Sequence, residues 1–187
     1  MTHAVKNSIP GYLVGAWDID PVHSDVSFVV RHMMVSKVRG RFATFSGKIV
    51  TGDNVTDSSV TASIDAASID TGNEQRDADL RSARFFDVHN YPLWTFRSTG
   101  IRPDGDGFVV DGELTIKGVT RSVPLALELN GIGPDTSGGI RASFSASTTI
   151  DRNDFGIDVK LPLDGGGVVV GDKVQITLEI EAVLSRA

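Results

Sequence analysis

The chain has 187 residues, 40% of them hydrophobic and 20 of them glycine, which suits one sizeable domain of short strands and turns. It has no cysteine, so disulfides and thiolate chemistry are excluded, and a formal charge of −6 without any basic run argues against binding nucleic acid. No window approaches the roughly 20 apolar residues that cross a bilayer, so stable membrane insertion is not expected.

Residues 1–16 are polar and irregular and read as an arm that packs Tyr12, Leu13 and Val14 on the outside of the domain. Residues 17–187 read as a single β-barrel domain. The first twenty residues hold one lysine and no apolar run of secretory length, so they do not resemble a signal peptide; the expected location is the cytoplasm, or the periplasm or exterior if the true amino terminus is processed. From Trp17 a strand turns Val26, Phe28 and Val30 to one face. In the second strand, 38–50, Phe42 and Phe45 are three apart and cannot share a face of a regular ladder, so a bulge or bend near Thr44 is required. A turn at 52–54 precedes the third strand, 58–65, with Val60, Ala62 and Ile64 inward.

Between residues 68 and 96 the two-residue rhythm lapses. Thr71 and Glu74 have the spacing of a capping box, followed by a helix over 74–83. That helix is rich in charge and has only Leu80 and Ala83 as an apolar pair, so it must lie against something larger. Phe85 and Phe86 are its anchors. Tyr91-Pro92 breaks the path and a strand resumes at Leu93. The segment reads as a helix and loop plug between strands 3 and 4, closing one end of a β-structure.

Strand 93–101 places Trp94, Phe96 and Ser98 on one face, and the turn at 103–107 makes a hairpin with 108–117. Gly118 permits a tight turn into 119–130, where Val123, Leu125, Leu127 and Leu129 point inward. The next strand, 140–150, alternates Phe144, Ala146, Thr148 and Ile150 with small polar residues. Residues 151–171 are irregular, and the last strand aligns Val174, Ile176, Leu178, Ile180 and Ala182. The fold class is all-β, and eight consecutive antiparallel strands close into a barrel without exposed edges.

The inward set is Val26, Phe28, Val30, Phe42, Val60, Ala62, Ile64, Trp94, Phe96, Val110, Leu114, Ile116, Leu125, Leu127, Phe144, Ala146, Ile176 and Leu178. Small residues, Ala62, Gly112 and Ala146, are where a lumen stays open. Alternation by itself describes a filled core equally well.

The polar motifs carry little chemistry. His23, His32 and His89, with Asp20 or Asp87, match no compact metal-ligand spacing. Asp20, His23 and Ser24 have the residue types of a catalytic triad, but on one strand they would not converge, and no G-x-S-x-G elbow is present. No catalytic residue is assigned. Arg76, Arg81 and Arg152 have two readings: guanidinium groups at a tunnel mouth that meet a lipid head, or pins that hold the plug through the neighbouring Asp77, Asp79, Asp87 and Asp151.

Several motifs in order give a specific likeness: WDIDPVHS at 17–24, His32, Gly40-Arg41-Phe42, SIDTGN at 68–73, Arg76-Asp77, Leu80-Arg81-Ser82, Phe85-Phe86-Asp87, Tyr91-Pro92, LTIKGVTR at 114–121, Asp151-Arg152 and Phe155-Gly156. Together they resemble the YceI-like, polyisoprenoid-binding, lipocalin-like proteins over about residues 17–184. The resemblance implies an extended eight-stranded antiparallel barrel, often dimeric, whose apolar lumen holds a long isoprenoid chain such as a quinone tail or a polyprenyl phosphate. It implies no established catalysis and no cofactor beyond the bound isoprenoid lipid. Many members carry a secretory signal, which this amino terminus does not resemble. The expected function is therefore non-enzymatic binding, storage or transport of an isoprenoid lipid. The alternatives are an enzyme acting on a small amphiphile through His23, His32 or Asp87, and a packed barrel serving as an interaction module.

Overall fold

The computed structural model describes residues 9–32, 36–159 and 170–185. Within them the alternating sequence forms strands β1 (Gly15–Ile19), β2 (Asp25–His32), β3 (Ser36–Phe42), β4 (Phe45–Thr51), β5 (Ser59–Asp65), β6 (Ile69–Asp70), β7 (Leu93–Asp104), β8 (Gly107–Ile116), β9 (Val119–Pro134), β10 (Ile140–Asp151) and β11 (Val170–Leu184). The helix α1 is Glu74–Arg81.

Three pairs of these segments are single staves interrupted by a bend. β1 pairs with β4 while β2 pairs with β3, both antiparallel, and β4 continues from β3 after the bend at Ala43 and Thr44. β5 follows β4 and β6 follows β3 in the same way. Counted as staves, the segments make an eight-stranded antiparallel barrel, as the alternation predicts. The ring closes through β11, which pairs with β2 over residues 170–179 and with β1 over residues 182–184.

The connections follow from local backbone chemistry. β8 and β9 are joined by Lys117 and Gly118, both at positive φ (52° and 76°), the two-residue turn whose twist matches that of the strands it joins. Register shifts in β7 between Ser98 and Gly100, and in β9 opposite Ser143 and Phe144, bend long staves around the barrel.

The helix departs from expectation at its start and its end. Its cap is Asn73, whose side chain accepts from Arg76 N at 3.0 Å, and it ends at Arg81 rather than at residue 83. Thr71 is drawn away from capping because its backbone N–H and hydroxyl both donate to the buried Asp77 carboxylate. The arm also differs in part. Leu13 and Val14 lie outside, but the Tyr12 hydroxyl reaches across the barrel rim to donate to Gly52 O at 2.6 Å.

The outer wall is polar, with cross-strand pairs such as Arg97–Glu113 and Arg102–Asp111. Apolar-in and polar-out is the reverse of a transmembrane barrel's alternation. Among the described residues no helix is long and apolar enough to cross a membrane.

One outer cluster ties the closure together. Arg141 on β10 donates from Nη1 to Asp20 at 2.9 Å and to Glu181 at 2.9 Å, and from Nε to Asp135 at 3.1 Å. It thereby joins the bend after β1, the β9–β10 connection and β11. The hydrogen bond from His23, then that from Arg141, holds the Asp20 carboxyl down at about 2; Ser137, then Arg141, does the same for Asp135. Carboxylates held below their usual value near 4 stabilise the fold fully above about pH 4, and that contribution is lost as pH falls through about 2. The Arg141→Met variant is expected to show a flatter fall of Tm between about pH 4 and pH 2 than the wild type. Parallel curves in thermal unfolding would show that the cluster is uncoupled from folding.

Candidate functional site: an apolar lumen with a plugged end

Inside the staves lies a cavity of about 410 Å³, within the range of small-molecule sites. Every apolar residue assigned to the lumen from the sequence lines it. Val26, Phe28 and Val30 come from β2, Phe42 from β3, and Val60, Ala62 and Ile64 from β5. Trp94 and Phe96 come from β7, Val110, Leu114 and Ile116 from β8, and Leu125 and Leu127 from β9. Phe144 and Ala146 on β10 and Ile176 and Leu178 on β11 complete the set.

Two apolar clusters flank this space. At the plug, Phe42, Phe86 and Trp94 meet edge to face, with centroids of Phe42 and Phe86 at 4.8 and 4.9 Å from Trp94. Ile69, Phe85, Phe155 and Ile157 join them. In the other cluster Trp17, Ala142 and Ala182 pack with Ile49, Ile132 and Leu184. Members of both clusters line the cavity.

The small residues do not all act as expected. Ala62 and Ala146 face the lumen, but Gly112 is not open space, because a Cβ built there would run into the Phe96 ring. Gly40 lies under Phe28 in the same manner. These glycines are seats that let a phenyl ring settle against the wall.

Sequence reasoning passed over other lining residues, including Trp17, Ile19, Phe45, Ile49, Phe86 and Phe155. The bend at 43–44 was legible as a bulge, and its consequence is that Phe45 joins Phe42 in the lumen. Phe155 ends the 3-10 turn Arg152–Phe155 and Ile157 lies just beyond it, where no strand period marks the inward side.

The three arginines separate. Arg81 Nε donates to Ala67 O at 2.8 Å and Nη2 to Ile69 O at 3.2 Å, and Arg81 does not line the cavity. Arg76 does line it, and donates from Nη2 to Thr71 O at 2.9 Å and from Nε to the Thr71 hydroxyl at 2.8 Å. Ala67 lies in the 3-10 turn Ala66–Ser68, Ile69 opens the two-residue β6, and Thr71 follows it. The stave has left β7 by this point, its last register pair being Asp65 with Leu93. The two guanidinium groups satisfy these three carbonyls and tie the helix to the segment before it. Arg152 is buried among carbonyls, donating from Nη1 to Ile157 O at 2.7 Å and from Nε to Gly171 O at 3.0 Å, with Asp172 at 3.3 Å.

Among the described residues the histidines do not assemble a metal centre. His23 Nδ1 lies 2.8 Å from Asp20, because residues 20–24 leave the strand. Ser24 turns its hydroxyl to the backbone of Glu181 instead. Asp87 accepts from Asn90, and His89 is exposed. The side chain of His32 lies outside the described residues, as does most of the glycine-rich loop at 165–171.

A sequence profile of the YceI-like domain matches residues 17–182. A UPF0312 protein of Yersinia pestis (strain Pestoides F) is 35% identical over 167 residues, covering 89% of this chain and 84% of the relative. One from Pseudomonas aeruginosa (strain LESB58) is 34% identical over the same length. Among solved structures, Burkholderia cenocepacia BcnA is 27% identical with a TM-score of 0.73, covering 87% of this chain and 98% of that one. A polyisoprenoid binding domain from Saccharophagus degradans shares the fold at 16% identity and a TM-score of 0.70, over 92% of this chain and 100% of that one.

The plug depends on its buried ring. Phe86→Ala should lower unfolding free energy by about 3 kcal/mol in urea titration. A loss below about 1 kcal/mol would show that the ring does not hold the plug to the barrel.

Proposed function

The chain belongs to the YceI-like domain family, and on that footing we propose that it binds the tail of a long-chain isoprenoid lipid, a quinone or a polyprenyl phosphate, inside the barrel. Its role is storage or transport without catalysis. The observation that carries this reading is the apolar cavity running between the two aromatic ends.

An isoprenoid tail has no hydrogen-bonding group, so its affinity comes from leaving water, at roughly 25 cal/mol per Å² or about 0.8 kcal/mol per methylene. Each five-carbon unit then contributes about 3 kcal/mol before ordering costs. Such a ligand needs a greasy bore and few polar contacts, which agrees with a lining drawn mostly from Val, Ile, Leu and Phe. The same-fold domain from Saccharophagus degradans, described as polyisoprenoid binding, accords with it. The enzyme reading gains no support, since His23 is paired with Asp20 and Asp87 with Asn90, and none of these lines the cavity.

Protein purified under native conditions and extracted with organic solvent should yield a long-chain lipid by mass spectrometry, or take up an added isoprenoid quinone. Reproducible absence of both rejects the proposal. Ala62→Trp and Ala146→Trp should each abolish uptake while the far-ultraviolet spectrum stays native. Uptake that survives both substitutions would place the tail outside this bore.

A further inference from the structure

Among the described residues, one buried side-chain polar atom has no hydrogen-bond partner: Nε1 of Trp94. The side chain is 9% exposed, lines the cavity and is walled by Phe42, Phe86 and its cross-strand neighbour Ile64, none of which offers an acceptor. Buried indole N–H groups ordinarily find a partner, because an unmet donor in apolar surroundings is destabilising. The other tryptophan shows the usual arrangement, with Trp17 Nε1 donating to the Thr51 hydroxyl at 3.0 Å.

Resting on the lipid-binding reading above, we infer that the Trp94 indole N–H is the internal polar contact for the lipid's head, donating to an uncharged carbonyl oxygen of a quinone-type ring. The head then sits inside, at the plug, and the tail extends toward Trp17. The chemistry of the pocket selects the acceptor. A phosphate would have to leave water for a single neutral donor. Of the three cations that line the cavity, Arg76 is engaged with Thr71 and Arg152 with backbone carbonyls and Asp172, while Arg31 is exposed on β2. An alcohol would bring an O–H donor of its own into the same apolar walls and leave that unmet. A ketone oxygen needs one donor and brings none, and a planar ring suits the edge-on aromatic surfaces around it.

The test uses delipidated protein and three probes: a ubiquinone with four isoprene units, squalene as an acceptor-free hydrocarbon, and geranylgeranyl monophosphate. With ¹⁵N-labelled tryptophan, the quinone should shift the Trp94 indole N–H resonance downfield while that of Trp17 stays in place, and squalene should not reproduce the downfield shift. Trp94→Phe keeps a ring but removes the donor. It should weaken quinone binding about tenfold and leave squalene unchanged. Equal losses for quinone and squalene, no loss for the quinone, or wild-type protein preferring the phosphate would each overturn the inference while leaving the lipid-binding reading intact. Failure of all three probes to bind the wild type would overturn both. The labelled wild-type spectra decide the matter even if the variant folds poorly.

Discussion

Everything in this molecule depends on how β11 closes the sheet. It is a long strand that pairs first with β2 and then, past the bend at residues 20–24, with β1. A single stave thus seals the ring against both halves of the first one. Without that seal the sheet would have two unpaired edges and no enclosed interior, and the inward alternation of Ile176 and Leu178 would face water. The Arg141 cluster lies on the outside of this seam, where charge stabilises geometry without entering the apolar interior.

Closure alone would allow the interior to collapse into a filled core, as in many small barrels. Two features work against that. Phe28 and Phe96 are seated over Gly40 and Gly112, so two large rings settle against the wall. Other aromatics gather in the two clusters, with Phe42, Phe86 and Trp94 at the plug and Trp17 in the second, and members of both border the cavity.

Much of this could be read from the chain. Val26, Phe28 and Val30, or Leu125 and Leu127, alternate so regularly that their shared face follows from strand geometry. The bend at Thr44 was legible because Phe42 and Phe45 cannot otherwise face the same way. What escaped depends on contacts distant in sequence. Thr71 and Asn73 both have the chemistry of a helix cap, and only the burial of Asp77 decides that Thr71 serves it instead. Gly112 looked like open space because the Phe96 ring that occupies it comes from another strand. Arg76 and Arg81 had two consistent readings, and the carbonyls that engage them sit in a turn and a two-residue strand that no sequence period marks.

Those carbonyl contacts have an implication for how the closing segment keeps its place. The acceptors at Ala67, Ile69 and Thr71, which would otherwise depend on solvent, are taken by guanidinium groups carried on the helix. The lid of the barrel is thereby fastened to the chain that leads into it by its own two arginines.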